Sequence, residues 1–283
     1  MTLQSDRAGQ SGQNGRRECA ERVEALVREA DPGAVWAFGG PEGPSAAAGA
    51  ADRAGAAPGV LDPGVLDPGV LDPDVLDVGG LTAVLAVWPV IGILVGEGEL
   101  SLHTPLTAYE AGDGLPAGTT AHQLLTHVPH LTRGSALPAL VRLAERLCGR
   151  PLADLAADRI WGPLGMTRTR FAADGTLRAP VADLARFLSH LLAPAEGSGG
   201  GSGAGPVSRA WTAESLRIRT GELTPARGLL WHPAPHGAWS HGEGPALWVS
   251  PRRQRWAALL PTTPSAPLRT AFRDAVFGPT PHP

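Results

Sequence analysis

Four side chains of this 283-residue sequence are candidates for proton transfer: His127, His130, His241 and Glu243. His241 and Glu243 are separated by one residue, so a strand would point both side chains to the same face. Either group can be tuned to act as a general acid or base. His127 and His130 form a second pair. These four side chains predict a candidate site for proton transfer without a covalent intermediate.

A serine nucleophile is the alternative chemistry. Ser240, Ser135 and Ser101 are the candidates. None of them lies in the Gly-x-Ser-x-Gly context that exposes a nucleophile on a sharp strand-to-helix turn. This alternative therefore has no motif to support it.

Three histidines near the C-terminus raise the question of a metal. His232, His236 and His241 are spaced by four and five residues, but Pro233 and Pro235 lie between them and exclude a helix face. No carboxylate or cysteine spacing completes a ligand set. We expect no metal and no other cofactor.

The composition excludes several further chemistries. All 24 basic residues are arginine, so a Schiff base, a P-loop lysine and a lysine general base cannot be built from this chain. The net charge of -3 gives no electrostatic footprint for nucleic acid or an anionic membrane. No secretory leader is visible, and the longest apolar run is shorter than the ~20 residues that a bilayer requires. We predict a cytoplasmic protein that binds neither nucleic acid nor membrane, with its oligomeric state left open.

The elements that position these side chains are organised around the most apolar stretch, residues 81–95, which predicts a buried helix. The turn before it resembles the nucleophile motif of the serine β-lactamase, DD-peptidase and esterase superfamily, in its class C β-lactamase-like branch. That motif usually has the form Phe-Asp-Leu-Ala-Ser-Leu-Thr-Lys, and Asp77, Leu81 and Thr82 match it. In the family the serine attacks an acyl carbon, and the lysine three residues later, on the same helix face, helps to take its proton. Gly80 and Ala83 stand at those two positions here.

Other segments carry the same resemblance. Residues 124–127, Leu-Leu-Thr-His, match a family signature that follows a capping box of the form Thr-x-x-Gln at residues 120–123. The resemblance implies that His127 supports the site and its helix. Counting back from the segment Gly-Arg-Pro-Leu at residues 149–152 places Thr132 and Gly134 at the Tyr and Asn of the second catalytic motif. Residues 239–251 resemble the third motif, in the form His-x-Gly followed by Leu-Trp-Val-x-Pro.

The resemblance covers residues 20–278 and implies an α/β (α+β) fold of the β-lactamase/transpeptidase type. We expect an antiparallel sheet, flanked by helices, to form from residues 20–99 and 206–278, with a mainly helical insertion at residues 100–205. Residues 1–19 are predicted to be disordered. Residues 41–75, which are rich in Ala, Gly and Pro and contain tandem PGVLD repeats, are predicted to form a loop.

Three functions remain open. The first is a pseudoenzyme that keeps a cleft for a small acyl or carboxylate compound without covalent serine catalysis. The second is a repurposed enzyme of natural-product metabolism that uses His241 and Glu243, and the third is a residual hydrolase or esterase with a relocated nucleophile. Because all four groups of the two catalytic motifs are replaced, the resemblance favours the first. The candidate cleft residues are Gly80, Thr82, His127, His130, Ser240, His241, Gly242 and Glu243.

Overall fold

The structure, a computed structural model, describes residues 3–48, 74–126, 136–193, 205–222 and 224–279. The α-helices are α1 Leu3–Ala30, α2 Trp88–Gly96, α3 Ala121–Leu125, α4 Ala136–Cys148, α5 Leu152–Ala156, α6 Val181–Leu192, α7 Arg209–Ser215 and α8 Ala266–Phe277. The β-strands are β1 Val35–Gly40, β2 Gly43–Ala48, β3 Val75–Asp77, β4 Arg170–Phe171, β5 Leu177–Pro180, β6 His232–Ala234, β7 Ala238–His241, β8 Ala246–Ser250 and β9 Arg255–Leu260.

The main sheet joins the two ends of the chain. Its strand order is β2-β1-β9-β8-β7-β6, and every neighbouring pair is antiparallel. Strand β1 from the N-terminal part lies beside β9 from the C-terminal part, which confirms the predicted architecture. A smaller sheet has the order β3-β5-β4. No helix in the described ranges is long and apolar enough to cross a membrane.

The first and last helices cover one face of the main sheet. In β1, Trp36 and Phe38 alternate with Val35 and Ala37, so the two pairs point to opposite faces. Trp36 and Phe38 are buried with Phe272 of α8, and the Trp36 and Phe272 rings lie 6.4 Å apart. Burial of aromatic side chains of this size contributes about 1.5–3 kcal/mol each. The contact between sheet and helix therefore joins residues more than two hundred positions apart.

Helix α1 corrects the prediction of disorder for residues 1–19, because it begins at Leu3. Cys19, Val23 and Val27 recur every four residues, which places them on one helix face. All three are buried, at 6%, 0% and 2% exposure. The Arg22 side chain also donates a hydrogen bond to the Ala275 carbonyl of α8 at 2.7 Å. Packing against α8 thus stabilises helix α1 from Cys19 onward.

The opposite face of the sheet carries α6 and the helical body around α2. Trp88 at the start of α2 is fully buried and packs edge-on against Phe187 of α6 at 6.4 Å. Its indole N–H donates to the Ser215 hydroxyl at 2.9 Å, and its carbonyl accepts from Trp211 Nε1 at 3.0 Å. These bonds tie α2 to α7 and satisfy the polar atoms of two buried indoles.

The helix predicted at residues 81–95 is present and buried, but it is not uniformly α-helical. A 3-10 turn, Gly79–Leu81, leads into a π-helical turn, Ala83–Val87, before α2 begins. Pro89 explains the irregularity, since proline has no N–H to donate to the carbonyl four residues earlier and its ring crowds that carbonyl. The Leu85 carbonyl accepts instead from the indole N–H of Trp161 at 2.9 Å. The π-helical turn therefore lies where the Trp161 side chain, instead of a backbone N–H, donates to a helix carbonyl.

Two further predictions are corrected by strand pairing. Within the loop predicted at residues 41–75, Gly43–Ala48 forms β2, because β1 supplies a complete antiparallel partner; the repeats at residues 58–73 lie outside the described residues. The sequence of residues 228–232 also predicts a strand, but the strand in this region begins only at His232. Leu230 has φ 63, in the left-handed region, which is incompatible with a strand.

Candidate functional site

The first part of the candidate site is the turn that precedes the central helix. The Asp77 carboxylate accepts from the Gly79 N–H at 2.8 Å, and the N–H groups of Leu81 and Thr82 donate to Val78 and Gly79. Gly80 is exposed, and a Cβ atom added there would meet no atom within 4 Å. Ala83, one turn further on, is buried. The structure therefore leaves open space at Gly80 and a closed, apolar environment at Ala83.

Thr82 does not present its hydroxyl to that open space. The Thr82 Oγ1 donates to the Gly79 carbonyl at 2.9 Å. A threonine or serine hydroxyl that bonds the preceding turn of its own helix is engaged locally. The Thr82 hydroxyl therefore stabilises the turn, and its placement among the cleft residues stays a prediction.

The second part of the site is His241 at the end of β7. Its ring is 8% exposed, and Nδ1 lies 2.6 Å from the Leu230 carbonyl oxygen. Because a carbonyl only accepts, this contact makes Nδ1 the protonated nitrogen of the neutral ring. The Leu230 N–H in turn donates to the Leu125 carbonyl of α3 at 2.7 Å. Leu230, with its left-handed backbone, thereby fixes both the orientation of His241 and the distance to α3.

Gly242 brings the two parts together. Its φ is +95, and a Cβ atom there would lie 2.0 Å from the Pro245 carbonyl oxygen and 2.9 Å from Leu81 Cδ2. Glycine is the residue that tolerates both the backbone conformation and the close approach. The end of β7 therefore packs directly on the start of the central helix, beside Gly80.

Glu243 lies beyond the end of strand β7, so the strand alternation that the prediction assumed is absent. Strand β7 ends at His241, and the positive φ of Gly242 interrupts the alternation that the prediction assumed. The Glu243 carboxylate acts electrostatically on Arg269 of α8, where it opposes the lowering of the Arg269 pKa by burial. The predicted His241 and Glu243 acid–base pair stays a prediction.

Ser240 is excluded from the site by strand alternation. It pairs with Trp248, which is buried with α8, so it faces away from Gly80. Its hydroxyl lies 3.5 Å from the His232 carbonyl, to which it donates. Ser101 lies in the segment between α2 and α3, where its N–H donates to the hydroxyl of Tyr109, the sole tyrosine of the chain, at 2.9 Å. Neither serine is placed as a nucleophile beside His241.

The remaining predicted residues of the middle segment lie outside the described residues. These are His127, His130, Thr132, Gly134 and Ser135. Their predicted roles stay predictions. The capping box before them is confirmed, since Thr120 Oγ1 accepts from the Gln123 N–H at 3.3 Å and Gln123 Oε1 accepts from the Thr120 N–H at 2.9 Å.

The three C-terminal histidines do not converge. The His232 and His241 rings stack at 6.1 Å, while His236 Nε2 lies 3.1 Å from the Asp274 carboxylate. Throughout the described part of the chain, no group of three His, Cys, Asp or Glu side chains is arranged to hold a metal ion.

Sequence reasoning missed two residues that shape the site, Leu230 and Trp231. Trp231 is fully buried, and its ring lies 6.3 Å from that of His241. Its indole N–H finds no acceptor within the described residues. No motif marked either residue, because their roles depend on a left-handed backbone and on contacts with α2 and α3.

Comparison with known proteins supports the fold through structure alone. No protein-family model and no curated protein matches the sequence. Solved structures do match. A β-lactamase from Mycobacterium bovis aligns with a TM-score of 0.63 and 21% identity over 88% of this chain and 96% of its own. A D-alanine carboxypeptidase from Burkholderia cenocepacia aligns with a TM-score of 0.64 and 17% identity over 94% of this chain and 99% of its own.

A third similar structure is EstCE1, described as a hydrolase with promiscuous acyltransferase activity. It aligns with a TM-score of 0.67 and 13% identity over 94% of this chain and all of its own. The protein therefore has the fold of the serine β-lactamases, penicillin-binding proteins and D-alanine carboxypeptidases. This finding confirms the fold that the sequence motifs implied.

Proposed function

We propose that this protein is a binding protein that uses a β-lactamase-type fold without covalent serine catalysis. The observation that carries the proposal is the pairing of an open Gly80 with a buried Ala83 at the start of the central helix. The sequence motif aligns these residues with a serine nucleophile and its lysine. Glycine has no nucleophilic atom and alanine has no base.

Among the described residues, little supports a nucleophile or a base at another position. The chain contains no lysine, and its sole tyrosine bonds Ser101 between α2 and α3. Ser240 faces α8, and Glu243 acts on Arg269. Removing one member of a serine–base unit typically lowers the rate by several powers of ten, so the combined replacement supports a function in binding.

The ligand that fits the proposed cleft is a small acyl compound with a carboxylate. The N–H groups of Gly79, Leu81 and Thr82 already have acceptors, so recognition would rest on side chains near Gly80. The His241 ring, oriented by the Leu230 carbonyl at Nδ1, is the candidate side chain for contact with the ligand.

Two measurements on the full-length protein test the proposal. Intact-mass spectrometry after incubation with a fluorophosphonate or benzylpenicillin should show no covalent adduct. Thermal melting should rise with benzylpenicillin or a D-Ala-D-Ala peptide, because a ligand at one hundred times its Kd stabilises the folded state by about 2.7 kcal/mol.

Gly80→Leu supplies the decisive variant, since its side chain enters open space and leaves the fold intact. We expect Gly80→Leu to abolish the rise in melting temperature, whereas Glu99→Leu, at an exposed position distant from the cleft, should retain it. A stoichiometric adduct on a cleft serine or threonine would refute the non-covalent function. An unchanged melting curve, or equal binding by Gly80→Leu, would refute the ligand site.

A further inference from the structure

A cavity of about 280 Å³ lies at the other end of the central helix. Gly92 and Gly96 of α2 form part of its wall, about 18 Å along the helix axis from Gly80 at 1.5 Å per residue. Neither this cavity nor a second one beside the β1–β2 turn is lined by Gly80 or His241. The cavity is therefore separate from the site proposed above.

One wall of the cavity is a fixed, planar indole. A Cβ atom at Gly92 would lie 2.4 Å from Cδ1 and Nε1 of Trp211, so the ring rests directly on the helix backbone. Its Nε1–H is held by the Trp88 carbonyl, and Trp211 is 5% exposed. Leu102 and Leu229 complete the apolar lining. A flat aromatic ring fits such a slot, because stacked or edge-on contacts with an indole add to the burial of apolar area.

The rim of the cavity carries more basic than acidic groups. The rings of His103 and His122 lie 4.9 Å apart, and Arg219 and Glu214 also line the space. Arg219 is ion-paired with the Glu214 carboxylate, and its Nε donates to the Glu214 carbonyl at 3.0 Å. Burial, followed by the charges of His103 and Arg219, lowers the pKa of His122. These contacts disfavour a positive charge on His122 until an anion enters.

We propose that this cavity binds a small planar aromatic carboxylate, with its ring against Trp211 and its carboxylate facing His122 and Arg219. The volume lies just below the range of about 300–1,000 Å³ typical of ligand pockets, so it suits an acid with one or two rings. The inference is independent of the acyl-compound cleft.

The proposal implies that binding takes up a proton. A bound carboxylate favours the charged form of His122 and opposes the effects of His103 and Arg219. Among the described residues that line the cavity, the one acid, Glu214, already pairs with Arg219. Because binding takes up a proton, the affinity for the acid must increase as pH falls from 7.5 to 5.5. The increase is up to about tenfold per pH unit for one proton. A neutral amide of the same shape should show no such increase.

Isothermal titration calorimetry of the full-length protein with benzoate, indole-3-carboxylate and 2-naphthoate, and with their amides, tests the proposal. Gly96→Leu should weaken binding of the best acid at least tenfold, because Gly96 lines the cavity and a Cβ atom there meets no atom within 4 Å, which leaves room for the added side chain. Glu99→Leu places the same side chain three residues further on, outside the lining, and should bind as wild type does. His122→Gln should bind the acid with its pH dependence removed.

Different variants test this cavity and the site at Gly80, so the two proposals can be refuted separately. If none of the three acids binds, if acids and amides bind alike at every pH, or if Gly96→Leu binds as wild type does, the inference is wrong. Circular dichroism of Gly96→Leu verifies its folding, and His122→Gln provides an independent test through the pH profile. Gly80→Leu addresses only the acyl-compound cleft, so either site can fail without the other.

Discussion

Replacing Gly92 with alanine tests whether Trp211 packs on bare helix backbone. The new methyl group would lie 2.4 Å from two atoms of the indole, closer than van der Waals contact allows. The ring cannot withdraw freely, because Trp211 Nε1 donates to the Trp88 carbonyl at 3.0 Å. Trp88 is itself fully buried and bonded to Ser215. Strain at Gly92 therefore reaches the centre of the helical body.

The magnitude follows from three contributions. Overpacking a core by one methyl group costs about 1–3 kcal/mol. Weakening the buried indole hydrogen bond costs about 1 kcal/mol more. Alanine in place of glycine inside a helix returns about 1 kcal/mol. We expect Gly92→Ala to lower the free energy of unfolding by about 1–3 kcal/mol.

Urea denaturation, followed by tryptophan fluorescence, measures this change. Gly96→Ala is the matched control, because it adds the same methyl group at the last residue of α2, where a Cβ atom meets nothing within 4 Å. We expect this control to be neutral or up to about 1 kcal/mol more stable than wild type. If Gly92→Ala is as stable as Gly96→Ala, the packing of Trp211 on the helix backbone is refuted.

Two further substitutions probe the helix start and the acid stability of the fold. Gly80→Ser combined with Ala83→Lys should not hydrolyse nitrocefin or p-nitrophenyl acetate at rates typical of β-lactamases and esterases, because Ala83 is buried and a lysine there would be crowded and desolvated; rapid turnover would contradict this. Burial opposes ionisation of Asp31, but hydrogen bonds from Thr262 and Gly33 outweigh it and lower the pKa of Asp31. Its stabilisation is therefore complete above the ordinary value of 3.8 and is lost as pH falls through the lowered pKa. Asp31→Asn should unfold more easily than wild type at pH 7 by about 1.5–3 kcal/mol, with the difference shrinking under acid; a constant difference from pH 7 to pH 2 would argue against this role.

The elements with strong local signals were predictable from sequence. The charged turn Arg252-Arg253 predicts a strand pair at residues 245–250 and 254–261. Strands β8 and β9 match this pair, and the turn between them places Gln254 at φ 50. The family resemblance implies a helix at residues 180–192, and apolar spacing predicts one at residues 267–277. Helices α6 and α8 begin and end within a residue of these bounds. Each combines regular apolar periodicity with a proline or a turn at its boundary. Local chemistry was sufficient for these elements.

The elements that depend on distant partners were not predictable. Strand β2 consists of Gly, Pro, Ser and Ala, which have little strand preference, and it forms because β1 pairs with it. At the site, the alternation rule placed Glu243 beside His241, but the positive φ of Gly242 ended the strand between them. Leu230 and Trp231 gave no sequence signal, since their roles come from bonds to Leu125 and contact with His241.

The π-helical turn at Ala83–Val87 has a consequence for insertions and deletions. A π turn holds one residue more than the α-helical turn it replaces, so it shifts every following residue by about 100° around the helix axis. Gly80 lies before this turn, whereas Trp88 and Gly92 lie after it. Deleting a single residue between them would rotate one end of the helix relative to the other by about 100°. Gly80 and the Trp211 contact could then not both keep their present neighbours. The surface at Gly80 and the cavity beside Gly92 share no residue, yet both depend on the number of residues in the helix between them. An insertion or deletion there would change both sites.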